Sequence, residues 1–286
     1  MTRRIALALS CCALAACGGG GDHTNAATAR SFSYGPEQSV AAPLSAGDAI
    51  SSMKSFESAG DGQTAVAAQG SLMQVAFEAL GDDLGVGGFA ATSANPTALV
   101  REARSRTIGA ALTGDASQFT AECTTAAKDA AGTATVVFKN CQYTETTTEG
   151  TLTVNVAGTV VGKPGSVVWD VTYNLSLTGP DARIELGYHD KGNLALTAAT
   201  VKAHQEADIG GAFASGLQHL ELGLAQSVDL DVTIDGSCAT HITGGTLEAK
   251  RVWTKRPAGA AAEATVDRGA LFTWTGCGLA TVRFSR

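Results

Sequence analysis

Five histidines, an alternating acidic run and scattered serines are the residues of this 286-residue chain with the chemistry for acid–base, metal or nucleophilic work. His23, His189, His204, His219 and His241 lack the H-E-x-x-H spacing that sets two imidazoles on one helix face for zinc. Each reads as a surface or satisfied histidine, His219 on the polar face of a strand and His189 just before a turn. Asp229, Asp231, Thr233, Asp235 and Gly236 loosely match the start of a calcium-binding loop counted from Asp231. Its twelfth position is Ile242, where a bidentate glutamate is needed. The interleaved Leu230, Val232 and Ile234 give a simpler account, a strand with an acidic outer face. No G-x-S-x-G elbow presents a nucleophilic serine. The Gly-rich stretch 81–94 lacks the G-x-x-x-x-G-K-[ST] pattern that cradles phosphate. The expectation is no catalytic residue, no cofactor and no metal.

Cysteines are more informative. Arg3 and Arg4 precede an apolar run, Ile5 to Ala16. That run is shorter than the roughly 20 residues that span a bilayer and reads as an export signal. It closes on Leu14-Ala15-Ala16-Cys17. These four residues resemble the lipobox of bacterial lipoproteins. The resemblance covers only the signal region, 1–16, and its Cys. It implies cleavage before Cys17, diacylation of the Cys17 thiol and a membrane anchor in which each buried CH₂ contributes about 0.8 kcal/mol. Gly18 stands where an Asp would imply inner-membrane retention in many diderm bacteria. The resemblance therefore implies the cell envelope, at the outer membrane.

Cys11 and Cys12 leave with the signal, so Cys123, Cys141, Cys238 and Cys277 remain. An even number in an exported chain favours disulfides, and four cysteines allow three connectivities. Cys123 and Cys141 are symmetric about Gly132, and Cys238 and Cys277 about Pro257-Ala258. Each pair then faces across an antiparallel hairpin, which predicts Cys123–Cys141 and Cys238–Cys277. In the second hairpin that register sets Ala249, Arg251 and Trp253 against Val266, Ala264 and Ala262. Zinc is the weaker reading, because no C-x-x-C or H-x₃₋₅-H spacing is present.

The elements that position these residues follow from periodicity. Residues 17–45, Gly-rich and then aperiodic, read as a lipidated, disordered tether. Residues 46–113 read as helical. Asp48–Ser58 is a short candidate, Thr64–Leu80 a stronger one with Val66, Met73, Phe77 and Leu80 at helical spacing, and a third follows the Asn95-Pro96 start. From about Ser117 the period falls to two. Leu152/Val154/Val156 and the run Val167 to Leu177 alternate most clearly. Ile184/Leu186/Tyr188, Leu194/Leu196/Ala198, Leu220/Leu222/Leu224, Val228 to Ile234 and Ala280/Val282/Phe284 are further strands. Asp190-Lys191-Gly192-Asn193 reads as a turn, and Val201–Gly216 as a loop or short helix. The predicted class is α+β: residues 46–286 form one domain, with N-terminal helices packed on a curved antiparallel β-meander over 117–286. A transmembrane β-barrel shares the alternation, but its aromatic girdles are missing.

Composition narrows function by exclusion. A net charge of −7 argues against nucleic acid as a partner. The chain reads as a non-enzymatic, lipid-anchored envelope protein that binds or scaffolds. Its partners would be the membrane, through the lipid, and an envelope protein or an apolar ligand. A carrier holding an acyl or other apolar ligand between sheet and helices is the second reading. An envelope hydrolase, which would need paired carboxylates, is the third.

Overall fold

Alternation of apolar and polar side chains runs almost unbroken from Thr124 to Phe284, and it makes one sheet. The computed structural model describes residues 26–41, 107, 119, 122–147, 150–163, 165–180, 182–215, 218–257 and 264–285. A single helical turn, α1 (Ala26–Ala29), precedes β1 (Gln38–Ala41). Ten strands follow: β2 (Thr124–Lys128), β3 (Ala134–Thr147), β4 (Gly150–Lys163), β5 (Ser166–Thr178), β6 (Ala182–Leu196), β7 (Thr200–Ser215), β8 (Gln218–Ile234), β9 (Ile242–Pro257), β10 (Ala264–Gly276) and β11 (Leu279–Phe284). They form an antiparallel meander in which each strand pairs with the next, and β1 is added beside β11.

The α+β expectation is therefore corrected: the described residues are all but entirely antiparallel β. The physical reason is the length of the period-two pattern, which runs through stretches that local signals had assigned to turns and loops. The helical expectation for 46–113 lies outside the described residues, apart from Thr107. Within the stretch expected as a tether, α1 and β1 lie against the sheet.

Three further expectations change. Asp190-Lys191-Gly192-Asn193 is no turn but the middle of β6, which joins two expected strands into one. A Cβ at position 192 would lie 2.6 Å from the Trp169 ring. Gly192 is thus the gap that receives the indole, where turn chemistry had seemed the explanation. The same merging makes β8 from two expected strands. Of the stretch expected as loop or helix, Val201 to Ser215 lies in β7, its core-facing positions being Val201, Ala203, Gln205, Ala207 and Ile209. Small and polar residues there blur the alternation.

The core lies on one face, spread along almost every strand. Trp169, Tyr173, Val154, Val156, Ile184, Leu194, Ile242 and Leu247 are the largest of its fully buried residues. Phe119, from the stretch before β2, meets Phe138 and Tyr143 edge-on at 5.3 and 6.1 Å. Both expected disulfides are present, Cys123–Cys141 and Cys238–Cys277. The first spans the β2–β3 hairpin, with a bulge at Asn140, whose φ is 54°, bringing Cys141 into reach. The second does not span the expected hairpin. In β9–β10, Trp253 pairs with Val266, Arg251 with Arg268 and Ala249 with Ala270, four residues away from the expected register. Cys238 lies in the β8–β9 connection and Cys277 in the β10–β11 turn, at the same end of the sheet.

The opposite, outer face is polar, and described residues from 26–41 cover a patch of it. Ala27 of α1, fully buried, packs with Phe32, Ala225 and Val252 over β8 and β9. Residues 26–41 thus form a strap from β8 to β11.

Candidate functional site

The core face is interrupted by one row of polar side chains. Register places Val171, Asp190, Ala207, Gln226, Arg251 and Arg268 side by side on β5 to β10. All point to the face that carries Val228, Leu230, Leu247 and Phe272, because side chains alternate strictly in these strands. Accessibility falls along the row. Arg268 is exposed, Arg251 and Gln226 are half-buried, Ala207 is buried and Asp190 is at 0%.

Partners within the row are defined. Gln205 Nε2 donates to Asp190 Oδ1 at 2.6 Å, both side chains being buried. Gln205 Oε1 is also buried and has no hydrogen-bond partner. With its amide oxygen turned to the guanidinium, Gln226 accepts from Arg251 Nε and Nη2 at 3.2 Å. Arg251 and Arg268 are direct cross-strand partners, so two positive charges share the accessible end. On either side the row is flanked by apolar and aromatic positions. Tyr173 and Tyr188 stack at 5.3 Å on one side, and Trp169, Val228, Ala249 and Ala270 lie on the other.

Burying a polar group without a partner costs on the order of 1–3 kcal/mol. Close packing alone would have favoured apolar side chains at Gln205 and Asp190. The row can accept a hydrogen bond at Gln205 Oε1 near its deep end, and it carries two guanidinium groups at its accessible end. No nucleophile or second carboxylate joins Asp190 among the described side chains of the row.

Residues singled out in the sequence lie elsewhere. His189 Nε2 contacts Asp170 Oδ1 at 2.7 Å, and His204 lies between Asp229 at 2.6 Å and Glu206 at 3.4 Å, all on the outer face. Asp231 pairs with Lys202 at 2.8 Å, and Asp235 accepts from Ser237 in a turn. The candidate calcium ligands are thus separately committed, and among the described residues no group of three or more His, Cys, Asp or Glu side chains is placed to hold a metal. His241 sits half-buried after β8 with φ 56°. His219 lies on β8, and His23 and Cys17 lie outside the described residues.

Glu206 is the most embedded acid of the outer face. Thr28 Oγ1 donates to its Oε1 at 2.8 Å, and Lys191 Nζ is 2.9 Å from its Oε2. Burial pushes this carboxyl up, but the bonds from Lys191 and Thr28 and the nearby His204 outweigh burial and hold it below the usual range. Lys191 is raised in turn, chiefly by its bond to Glu206. Tyr34 donates to Glu248 at 2.7 Å, and burial followed by that carboxylate keeps its phenol protonated well above the ordinary range.

Sequence reasoning missed the polar row. Asp190 was hidden by its turn-like neighbours and Gln205 by the weak alternation of β7. Holding the period of Val201 and Ala203 in phase would have placed Gln205 on the core face. No protein-family model matches the chain, and comparison with curated proteins and solved structures finds nothing similar.

Proposed function

We propose that this chain is an exported lipoprotein, anchored through Cys17 at the outer membrane, that binds an amphiphilic ligand along the core face of its sheet. The observation that carries the reading is the graded row from exposed Arg268 to buried Asp190, together with the unpartnered Gln205 oxygen. A hydroxyl or amide N–H on the ligand would satisfy Gln205. Binding is the reading the row supports, since its described side chains carry a single carboxylate and no nucleophile. The lipobox-like Leu14-Ala15-Ala16-Cys17 supports the anchor and the envelope location.

Native mass spectrometry of the full-length protein, released from mild detergent, tests the reading. The expected result is a reproducible non-covalent adduct that is lost on denaturation and depleted in Gln205→Leu. A uniformly ligand-free protein, or an adduct indifferent to Gln205→Leu and Arg251→Ala alike, would overturn it.

A further inference from the structure

The strap changes what the anchor can do. A tether of residues 17–45 would let the domain drift far from the bilayer in any orientation. α1 instead starts at Ala26, and Ala27 is fully buried on the outer face. The strap is held at several points. Thr28 bonds Glu206, Arg30 pairs with Asp267 and Tyr34 bonds Glu248. Gly35 N–H donates to the Phe284 carbonyl at 2.9 Å, and β1 runs in register with β11.

Only nine peptide steps then separate Cys17 from the sheet. Fully stretched they reach at most roughly 30 Å. β8 has 17 residues and so is about 55 Å long. α1 covers Ala225, near its middle, on the outer face. Standing the strands upright on the membrane would lift that point by about half the strand length, close to full extension of the leash. Turning the core face down would need a still longer path around the sheet.

We infer that the outer face over β7–β10 is the side of the protein held against the lipid surface, with the strands lying along the bilayer and the polar row turned away from it. The inference rests on lipidation at Cys17. It does not depend on what the polar row binds. The outer face is rich in carboxylates, Asp170, Asp229, Asp231, Glu248 and Asp267 among them, so the short leash rather than charge attraction keeps it there.

The test uses the full-length lipidated protein in phosphatidylcholine vesicles and in detergent micelles. An amine-reactive polyethylene glycol of several kilodaltons is the probe, its coil being too wide for the gap the leash allows. Lys202, on the outer face of β7 with 59% of its side chain exposed, reports on the membrane side. Lys128, exposed on β2 at the far edge of the sheet, is the internal reference. The Lys202-to-Lys128 labelling ratio should fall several-fold in vesicles relative to micelles. A Gly-Ser insertion of about 30 residues after Gly20 should restore it. An equal ratio in vesicles and micelles, or a vesicle ratio unchanged by the insertion, would overturn the orientation. Failure of the protein to float with the vesicles would overturn the anchor itself, and is read separately.

Discussion

Gly192 and Glu206 show how single residues set local structure here. At Gly192 an added methyl would meet the His204 carbonyl at 2.4 Å and the Trp169 ring at 2.6 Å. Backbone cannot yield as a side chain does, so Gly192→Ala should cost on the order of 2–3 kcal/mol, read as a lower urea midpoint with an unchanged slope. Glu206 makes strap docking depend on pH. Its carboxyl is held below the ordinary range in the folded protein, so its ionised form stabilises the fold. That contribution is complete above the ordinary carboxylate pKa and disappears as pH falls through the depressed one. Lys191 has the opposite sign: raised in the fold, it contributes below the ordinary ammonium range, and this is lost as pH rises through its raised value. The strap should therefore hold across neutral pH and loosen in acid. Hydrogen exchange at the Thr28 amide, corrected for intrinsic rates, measures this, and Glu206→Gln should flatten the acid limb.

At the scale of elements, long strands replace pairs of shorter ones. β6 and β8 continue through Asp190–Asn193 and through Ala225–Ser227, where local composition favours an interruption. What sustains them is pairing on both sides, since each is hydrogen-bonded to two neighbours along nearly its whole length. The disulfides act at the margins of this sheet. Cys123–Cys141 closes a loop of 18 residues and Cys238–Cys277 one of 39. Chain-entropy arguments then give about 3 and about 4 kcal/mol respectively. Paired Cys→Ala variants should rank in that order in urea denaturation, with the Cys238/Cys277 variant the less stable. The logic of symmetry found the right partners for the second bridge by an incorrect route, because the connection joins two loops at one sheet end rather than facing strands.

Among the described residues, contacts are mostly between consecutive strands, and β1 is a strand that departs from this pattern. β1 lies against β11 although more than 230 residues separate them, and the strap that leads into it crosses the outer face. The edge strands are short, four residues in β1 and five in β2. If the anchor reading holds, Cys17→Ser should move the protein from the membrane fraction to the soluble fraction on cell fractionation. Retention in salt-washed membranes would contradict it.

Composition and local pattern determined what local physics can determine. Alternation marked β4, β5 and the later half of β8, and cysteine symmetry found both disulfides. Those signals live within a few residues of each other, so they survive in one dimension. The polar row does not, because Asp190, Gln226, Arg251 and Arg268, with Gln205 one core-face position along β7 from the row, come from five strands and meet only through register. A two-residue slip of any strand would remove its member from the row while leaving every hydrophobic pattern intact. The strap was equally hidden, since Ala27, Phe32 and Tyr34 are too few to show a period, and their burial depends on a patch of Ala225 and Val252 that exists only once β8 and β9 are side by side.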